Sequence, residues 1–366
     1  MMKHIKWLKY SFSLIIIIIF IVTIFNYKID SLGIFKNSNY LSNAAKTLTN
    51  GEIIAGLKNY DERLFQELII KNLQVKNDVI AIGSSRIMQL RKQFFLDEKI
   101  NFFNHSVSGG SLEDYIAIVG VYEFIHGYIP STIILSIDPW VFNKYNGQTR
   151  WKTLMKYYNY EIEKIYNKEQ DKLDNIKNGI DISKWKQLFN YDYTISNIKF
   201  FKLLSENDNK AFYVTKTINI DDSIKEIDGS IHYPYSIRYI KNDKVQELAK
   251  TFSKGNVYSL TKYTTLSNIE LFEDFIKYLK SKEINILLVL FPYNPVAYDI
   301  FIKNEKYKHV TIAEKYLKDF SIQNSIQLKG SYNPHKYGFE SKDFFDGMHS
   351  KDGVYEKIMN QKEEVK

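Results

Sequence analysis

Cysteine is absent from this chain of 366 residues. Its absence excludes a disulfide scaffold, a thiolate-ligated zinc site, an iron–sulfur cluster and a cysteine nucleophile. It does not define the compartment, because cytosolic and surface proteins can both lack cysteine.

Arginine is also scarce, since only five of the fifty basic residues are arginines. The lysines are interleaved with acidic residues, tyrosine, asparagine and isoleucine, and no lysine- and arginine-rich run appears. Direct readout of nucleic-acid bases depends on arginine forks. We therefore interpret the net charge of +8 as a lysine-rich solvated surface, and nucleic-acid binding is not expected.

Hydrophobic residues make up 45% of the chain, which is enough for a full core and excludes disorder as the main state. At about 150 residues per domain, the length corresponds to roughly two domains. One domain with a large insertion fits this length as well as two domains do.

An uncharged stretch near the N-terminus predicts a membrane span. Residues 10–27 carry no charge, and residues 15–19 are all isoleucine. Eighteen helical residues extend about 27 Å, which is enough to cross the hydrocarbon core of a bilayer. Lys3, Lys6 and Lys9 precede this stretch, and Lys28, Asp30 and Lys36 follow it more sparsely. The positive-inside rule therefore places the N-terminus in the cytoplasm. No A-x-A cleavage pattern follows, so we expect an uncleaved signal anchor over residues 1–30 and a single span.

The chain after the anchor divides into two parts by its pattern. Residues 31–77 predict a juxtamembrane segment with one or two amphipathic helices, the best of them at about residues 64–73. Residues 78–366 alternate helical patterns with short apolar runs, which predict strands at residues 79–83, 101–107, 132–137, 284–291 and 325–328. Such alternation is typical of an α/β domain with a parallel sheet covered on both faces. Periodicity is weak at about residues 141–265, which we interpret as a large insertion.

The carboxyl ends of parallel strands are where open sheets bind ligands, so the residues there are candidates for a site. The first predicted strand ends at Gly83, Ser84 and Ser85, and the second ends in a turn that contains Gly109. Asp346 and His349 lie in a loop before the last helix. A serine hydroxyl needs a base, a histidine base needs a carboxylate to fix its tautomer, and an oxyanion needs N–H donors. These residues are the parts of a serine acyl-transfer site.

The same three blocks resemble those of the SGNH hydrolases, also called the GDSL family. That family has a Gly-Asp-Ser-like first block, an Asn-x-Gly-x-Ser-Gly-like second block and a late Asp-x-x-His block. The chain has Gly83 to Ser85, Asn104 to Gly109, and Asp346 with His349. It looks most like the membrane-anchored branch, which includes the protein of teichoic acid D-alanylation and relatives that assist polysaccharide O-acetylation. The resemblance implies a three-layer α/β/α SGNH-like domain over residues 78–366.

Carried over residue by residue, the resemblance implies that Ser85 is the nucleophile, His349 the general base and Asp346 its orienting carboxylate. The N–H groups of Ser85 and Gly109 would form the oxyanion hole. The third block departs from the family, because Asp138 stands near the place of the asparagine donor and an ionised aspartate cannot donate. Either the hole has two backbone donors, or another residue such as Asn143 supplies the third.

Five further residues are predicted to contact the substrate. Arg86 can bind an anion, although an arginine there more often forms a salt bridge. Trp140, like Tyr233, can stack on a sugar ring. The turn around Ser230 can line a sugar site or be a plain tight turn. Position alone, at a strand end, suggests contacts for Asn294 and Asp138.

Together these features predict an outward-facing serine O-acyltransferase or esterase. Its acceptor would be a surface polysaccharide or a teichoic-acid-type polymer, and the resemblance implies a membrane-bound O-acyltransferase as partner. No cofactor and no metal are expected. The alternative is a non-catalytic factor that holds the polymer near this partner, which the altered third block favours and the intact Ser85, Asp346 and His349 oppose.

The charge flanks of the span lead to a prediction of topology. A reporter fused after Lys366 should be active only outside the cytoplasm, and the protein should remain in the membrane fraction. A chain without residues 1–30 serves as the control and should lose both properties. Recovery of a shortened, soluble form of the full chain would show instead that the first segment is cleaved.

Overall fold

The computed structural model of the protein describes residues 2–30, 39–58, 60–95, 97, 99–166, 185, 187–206, 212–262 and 265–361. Parts of the predicted juxtamembrane segment and of the predicted insertion lie outside these described residues.

A five-stranded sheet forms the centre of the fold, and all of its neighbouring strands are parallel. Its strands correspond to the five that the apolar runs predict, which confirms an α/β fold with a parallel sheet. Their order across the sheet is β3, β2, β4, β8, β9. Their bounds are β2, Val79–Ile82; β3, Phe102–Asn104; β4, Thr132–Ser136; β8, Asn285–Leu290; and β9, Gln327–Gly330.

Alternating side chains of the strands enter two different cores, one on each face of the sheet. Ile80 and Ile82 contribute to the larger core, whereas Val79 and Ala81 contribute to the smaller one. Both sets are buried, because helices cover both faces. This double burial explains why β2 is continuously apolar in sequence rather than alternating.

The helices connect and cover the strands. Helix α4 begins after Ser111, as its sequence predicts, and Ser111 N donates to Asp114 Oδ2 at 3.0 Å. The bounds of the α-helices are α1, Met2–Ile29; α2, Asn39–Thr49; α3, Glu62–Lys71; α4, Leu112–His126; α5, Met155–Ile165; α6, Tyr191–Glu206; α7, Tyr235–Arg238; α8, Asn242–Lys254; α9, Ile269–Ser281; α10, Pro295–Ile302; α11, Lys308–Gln323; and α12, Asp352–Met359.

A second, antiparallel sheet joins the segment before β2 to the chain between β4 and β8. Its strands, in the spatial order β5, β1, β6, β7, are Tyr213–Val214, Ile54–Ala55, Ile224–Lys225 and Ile231–His232. Helices α2 and α3 pack with β1 in a third apolar core, which also includes Phe103 of the main sheet. The segment that the sequence predicts to be juxtamembrane therefore builds part of the domain.

Helix α1 contains the apolar stretch that the sequence predicts to cross a membrane. Its residues Lys9–Ile29 have a mean hydropathy of 2.3 and are long and apolar enough for a span. Near its end, Asn26 is buried and donates to Leu188 O and to Thr194 Oγ1, both at 2.8 Å. Tyr193 of α6 donates its hydroxyl to Asp30 at 2.7 Å. The end of this helix is thus joined to α6 and to the short segment before it through polar contacts.

The close approach of two turns at the edge of the main sheet makes a prediction about stability. A Cβ on Gly110 would lie 2.5 Å from Gly83 O, a backbone atom that cannot rotate away. Gly110→Ala should therefore lower the free energy of unfolding by about 1–3 kcal/mol, measured by thermal denaturation in detergent. Gly353→Ala is the matched control, since that site has open space and lies in α12. Equal midpoints for the two variants would contradict the close packing.

Candidate active site

The first candidate residues occupy the turn that follows β2. Ser84 is fully buried, and its Oγ accepts a hydrogen bond from Arg86 N at 3.1 Å. Ser85 is partly exposed and faces the opposite way. The turn therefore separates the two serines, with Ser84 supporting the backbone and Ser85 presenting its hydroxyl to a cleft.

Ser85, His349 and Asp346 form one continuous hydrogen-bonded chain. Ser85 Oγ lies 2.8 Å from His349 Nε2, although the two residues are 264 positions apart. His349 Nδ1 lies 2.7 Å from Asp346 Oδ2. Because the carboxylate accepts the Nδ1 proton, Nε2 is left to accept the proton of the serine hydroxyl. The three residues that the sequence predicts to act together lie together.

Asp346 is held in its ionised form. Its Oδ1 accepts the backbone N–H groups of Met348 at 2.8 Å and of His349 at 2.9 Å. Burial alone would raise its pKa, but the neighbouring His349 and these N–H donors outweigh burial and lower the pKa of Asp346. A carboxylate that stays charged fixes the tautomer of His349 and stabilises its protonated form.

The buried guanidinium of Arg86 fixes the loop that carries His349. Arg86 Nη1 donates to Asp138 Oδ1 at 2.7 Å, and Nε donates to Met348 O at 3.3 Å. A third donor, Nη2, bonds to Phe291 O, and the guanidinium lies 4.1 Å from the centre of the Tyr293 ring. Both Arg86 and Asp138 are completely buried. The predicted substrate contacts of Arg86 and Asp138 are thus corrected, because their charges are used inside the protein.

Trp140, Ser230 and Asn294 are also completely buried, which corrects their predicted substrate contacts. Trp140 donates its indole N–H to Gly110 O at 3.1 Å, so it supports the second turn from below. Ser230 donates to Asp228 at 2.6 Å within a tight turn, which was the plainer of its two interpretations.

Asn294 caps α10 by accepting Val296 N–H at 3.0 Å. Its own backbone N–H donates to Gly347 O at 3.0 Å, in the loop between Asp346 and His349. It therefore supports the loop that carries Asp346 and His349.

Gly109 and Asn143 are both expected to donate to an oxyanion, and the structure gives them different surroundings. Gly109 has a φ of +58° in the turn after β3, where Val107 N donates to Gly83 O at 3.1 Å; its role as a donor to an oxyanion stays a prediction. Asn143, by contrast, donates its amide to Tyr258 O at 2.8 Å and to Ser259 O at 3.2 Å. The prediction for Asn143 as a donor to an oxyanion is therefore wrong, because its N–H groups hold a loop with strained, positive-φ backbone.

A cleft of about 310 Å³ lies beside Ser85. Its other walls come from the segment before β2 and from the second sheet, including Ile54, Leu57, Glu62, Lys225, Ile231 and Tyr233. The ring of Tyr233 lies 5.9 Å from the ring of His349. Ser85 thus lies at the carboxyl edge of the parallel sheet, whereas the cleft that it faces is largely built by other parts of the chain.

Sequence analysis did not identify the residues that fix the second turn. Glu62 Oε1 accepts the hydroxyl of Ser108 at 2.7 Å. Arg63 forms a fork onto Asp114 with two bonds of 2.9 Å, and it also donates to Ser108 O at 3.1 Å. No local sequence signal reveals these contacts, because the partners are more than forty positions apart.

Among the described residues, no group of three or more histidine, aspartate or glutamate side chains is arranged to hold a metal ion. No protein-family model matches the chain, and no curated protein is significantly similar to it in sequence.

The buried ion pair makes a prediction about stability. Arg86→Met should lower the free energy of unfolding by about 3–5 kcal/mol, because Asp138 would stay buried without its cation. Adding Asp138→Leu should recover much of this loss, since the charge that remained is then removed as well. Lys342→Met is the control for an exposed ion pair, here with Glu340, and should leave the midpoint nearly unchanged because solvent screens the pair. Thermal denaturation gives the order, and an Arg86→Met midpoint equal to that of Lys342→Met would contradict it.

Proposed function

We propose that the protein is a membrane-anchored serine acyl-transfer enzyme of the SGNH type, with its active domain outside the cytoplasm. The observation that carries this proposal is the hydrogen-bonded chain from Ser85 through His349 to Asp346. Its position at the carboxyl edge of a parallel sheet, beside a cleft, supports the same conclusion.

In the first half of the reaction, Ser85 Oγ attacks the carbonyl carbon of an acyl donor while its proton moves to His349 Nε2. The tetrahedral intermediate collapses when the bond from carbon to the leaving oxygen or sulfur breaks. His349 then gives its proton to the leaving group, and the acyl group remains as an ester of Ser85. Asp346 stabilises the positive imidazolium throughout this sequence.

In the second half, a hydroxyl group of the acceptor attacks the acyl carbon of this ester. His349 takes the hydroxyl proton and returns it to Ser85 Oγ as the serine leaves. The product is an O-acylated acceptor, and the enzyme is restored. Water in place of the acceptor would give hydrolysis, so the same residues also support esterase activity.

The oxyanion that forms in both halves needs fixed N–H donors. We assign this role to the backbone N–H groups of Ser85 and Gly109, because Asp138 and Asn143 are engaged elsewhere. One missing side-chain donor is worth roughly a hundred- to thousandfold in rate. Slow turnover with water is therefore expected, and productive transfer would depend on how the acceptor is bound.

The anchor and the resemblance to the membrane-bound SGNH branch together suggest the biological acceptor. A domain held at the outer face of a membrane is placed to act on a surface polysaccharide or a teichoic-acid-type polymer. A membrane-bound O-acyltransferase would supply the acyl group, most simply acetyl. The apolar Lys9–Ile29 stretch of α1 is consistent with such a location.

The test is covalent labelling of the detergent-solubilised full chain by a fluorophosphonate. An activated Ser85 should displace fluoride and retain the phosphonyl group, which mass spectrometry can assign to that residue. Ser85→Ala and His349→Ala should lower the labelling rate by several orders of magnitude, because nucleophile and base act as one unit. Asp346→Ala should cost less, since this residue orients the base without reacting.

Ser84→Ala is the matched control, because Ser84 precedes Ser85 in the same turn and its hydroxyl points into the core. It should keep labelling within about tenfold of the wild type, as the loss of one support hydrogen bond of about 1 kcal/mol implies. Two results together would contradict the enzyme proposal: folded wild-type protein that is not labelled, and normal polymer acylation in cells that carry only Ser85→Ala. The polymer-holding factor would then be the better interpretation.

A further inference from the structure

A second charged group faces the cleft beside Ser85. Lys225 lies in β6 of the small sheet, and its side chain is only 8% exposed. It lines the same cleft as Ser85, together with the apolar side chains of Ile224 and Leu57. A lysine is rarely buried to this extent unless a partner compensates its charge.

The fixed surroundings of Lys225 supply little compensation. Among the described residues, its ammonium group has one hydrogen bond, a long one of 3.5 Å to Gly229 O. Across the part of the chain that the structure describes, no carboxylate lies within 4 Å of its ammonium group. Lys58, which lines the same cleft, differs in both respects, because its side chain is 51% exposed and bonds to Asp222 at 2.8 Å.

The nearest acidic groups are engaged with other donors. Glu62 accepts both the N–H and the hydroxyl of Ser108, and Asp228 accepts the N–H and the hydroxyl of Ser230. They still act on Lys225 through space. Burial lowers the pKa of Lys225, and the charges of Glu62 and Asp228 oppose this shift without cancelling it. The protein thus keeps a poorly compensated amine at the wall of a cavity.

We propose that Lys225 binds an anionic oxygen group of the substrate, a carboxylate or a phosphate, in the cleft beside Ser85. This inference rests on the proposed function, because it concerns the substrate of the same site. An anion in the cleft would complete the ion pair that the protein leaves open. The apolar walls would strengthen the attraction by keeping water away.

The anion has two possible positions in an acyl transfer. It can belong to the acyl group, as in a dicarboxylic half-ester, or to the acceptor, as in a polyol phosphate. The recognition chemistry is the same in both cases, since a protonated lysine binds either group as a point charge. Separate donors and acceptors can distinguish these two sources.

The first arm uses two activated donors, 4-nitrophenyl acetate and the 4-nitrophenyl half-ester of succinate, with the full chain in detergent. Lys225→Met should lower kcat/KM for the anionic ester about ten- to hundredfold and change that for the neutral ester less than about threefold. Lys225→Arg should keep most of the preference. Lys315→Met is the control for loss of one positive charge, because Lys315 is exposed, pairs with Asp319 and does not line the cleft; it should leave both values nearly unchanged.

The second arm uses the acetate ester as donor and compares glycerol with glycerol phosphate as acceptor. If the anion belongs to the acceptor, Lys225→Met should reduce acetyl transfer to glycerol phosphate by the same factor and leave transfer to glycerol unchanged. If Lys225→Met loses the preference for the anionic partner in one arm, the inference is supported. The arm in which this happens tells whether the anion belongs to the acyl group or to the acceptor. Equal effects on charged and neutral partners in both arms would overturn it.

The anion site can also be tested on the wild-type protein, so that the result does not depend on whether a variant folds. Inorganic phosphate should slow the labelling of Ser85 by an uncharged fluorophosphonate, and sodium chloride at equal ionic strength should not. Labelling that proceeds unaffected by phosphate and by succinate overturns the anion site while the acyl-transfer function stands. A wild-type protein that is not labelled at all overturns both.

Discussion

The geometry of the candidate site depends on one buried ion pair, between Arg86 and Asp138. Arg86 follows β2, Asp138 follows β4, and the guanidinium also bonds to the carbonyl after β8 and to the loop of His349. A buried pair of this kind adds little to stability over an apolar replacement. Its effect is positional, because a planar guanidinium fixes the directions of all its acceptors at once. Ser85, the proposed nucleophile, is the residue before Arg86, and the Arg86 side chain also holds the loop of His349, the proposed base.

The two parts of the cleft are therefore constrained in different ways. Ser85 and His349 are set by the edge of a parallel sheet that is buried on both faces and tied together by Arg86. The opposite wall comes from the start of α3 and from β1 and β6. These two strands belong to a small sheet of two-residue strands. Glu62 and Arg63 join the two parts through Ser108 and Asp114. Under the proposed function, the sheet edge supplies the reaction and the added wall supplies selectivity.

The parallel sheet and the grouping of Ser85 with His349 and Asp346 were predictable, because both rest on local patterns. Apolar runs such as β4 mark buried strands, and the carboxyl ends of parallel strands converge whatever the intervening chain does. Asn143 and Trp140 were mispredicted, since a position after a strand does not say whether a side chain points out or in. Lys225 was not identified for a different reason. The cleft that it lines is formed with Leu57, Glu62 and Ser85, which are far away in sequence, and its own neighbours look like an ordinary hairpin.

Arg86 and Lys225 are both buried cations near Ser85. Their different surroundings explain why only Lys225 is proposed as a ligand site. Both lose the solvation of water, which is costly for a charge without a partner. For Arg86, three fixed acceptors and two aromatic rings replace the lost solvation, so its charge needs no further partner. Lys225 has one long bond to a carbonyl and an open cavity on its other side. The same requirement, a negative group next to a buried positive one, is met inside the protein in the first case. In the second case it is left to a molecule that enters the cleft.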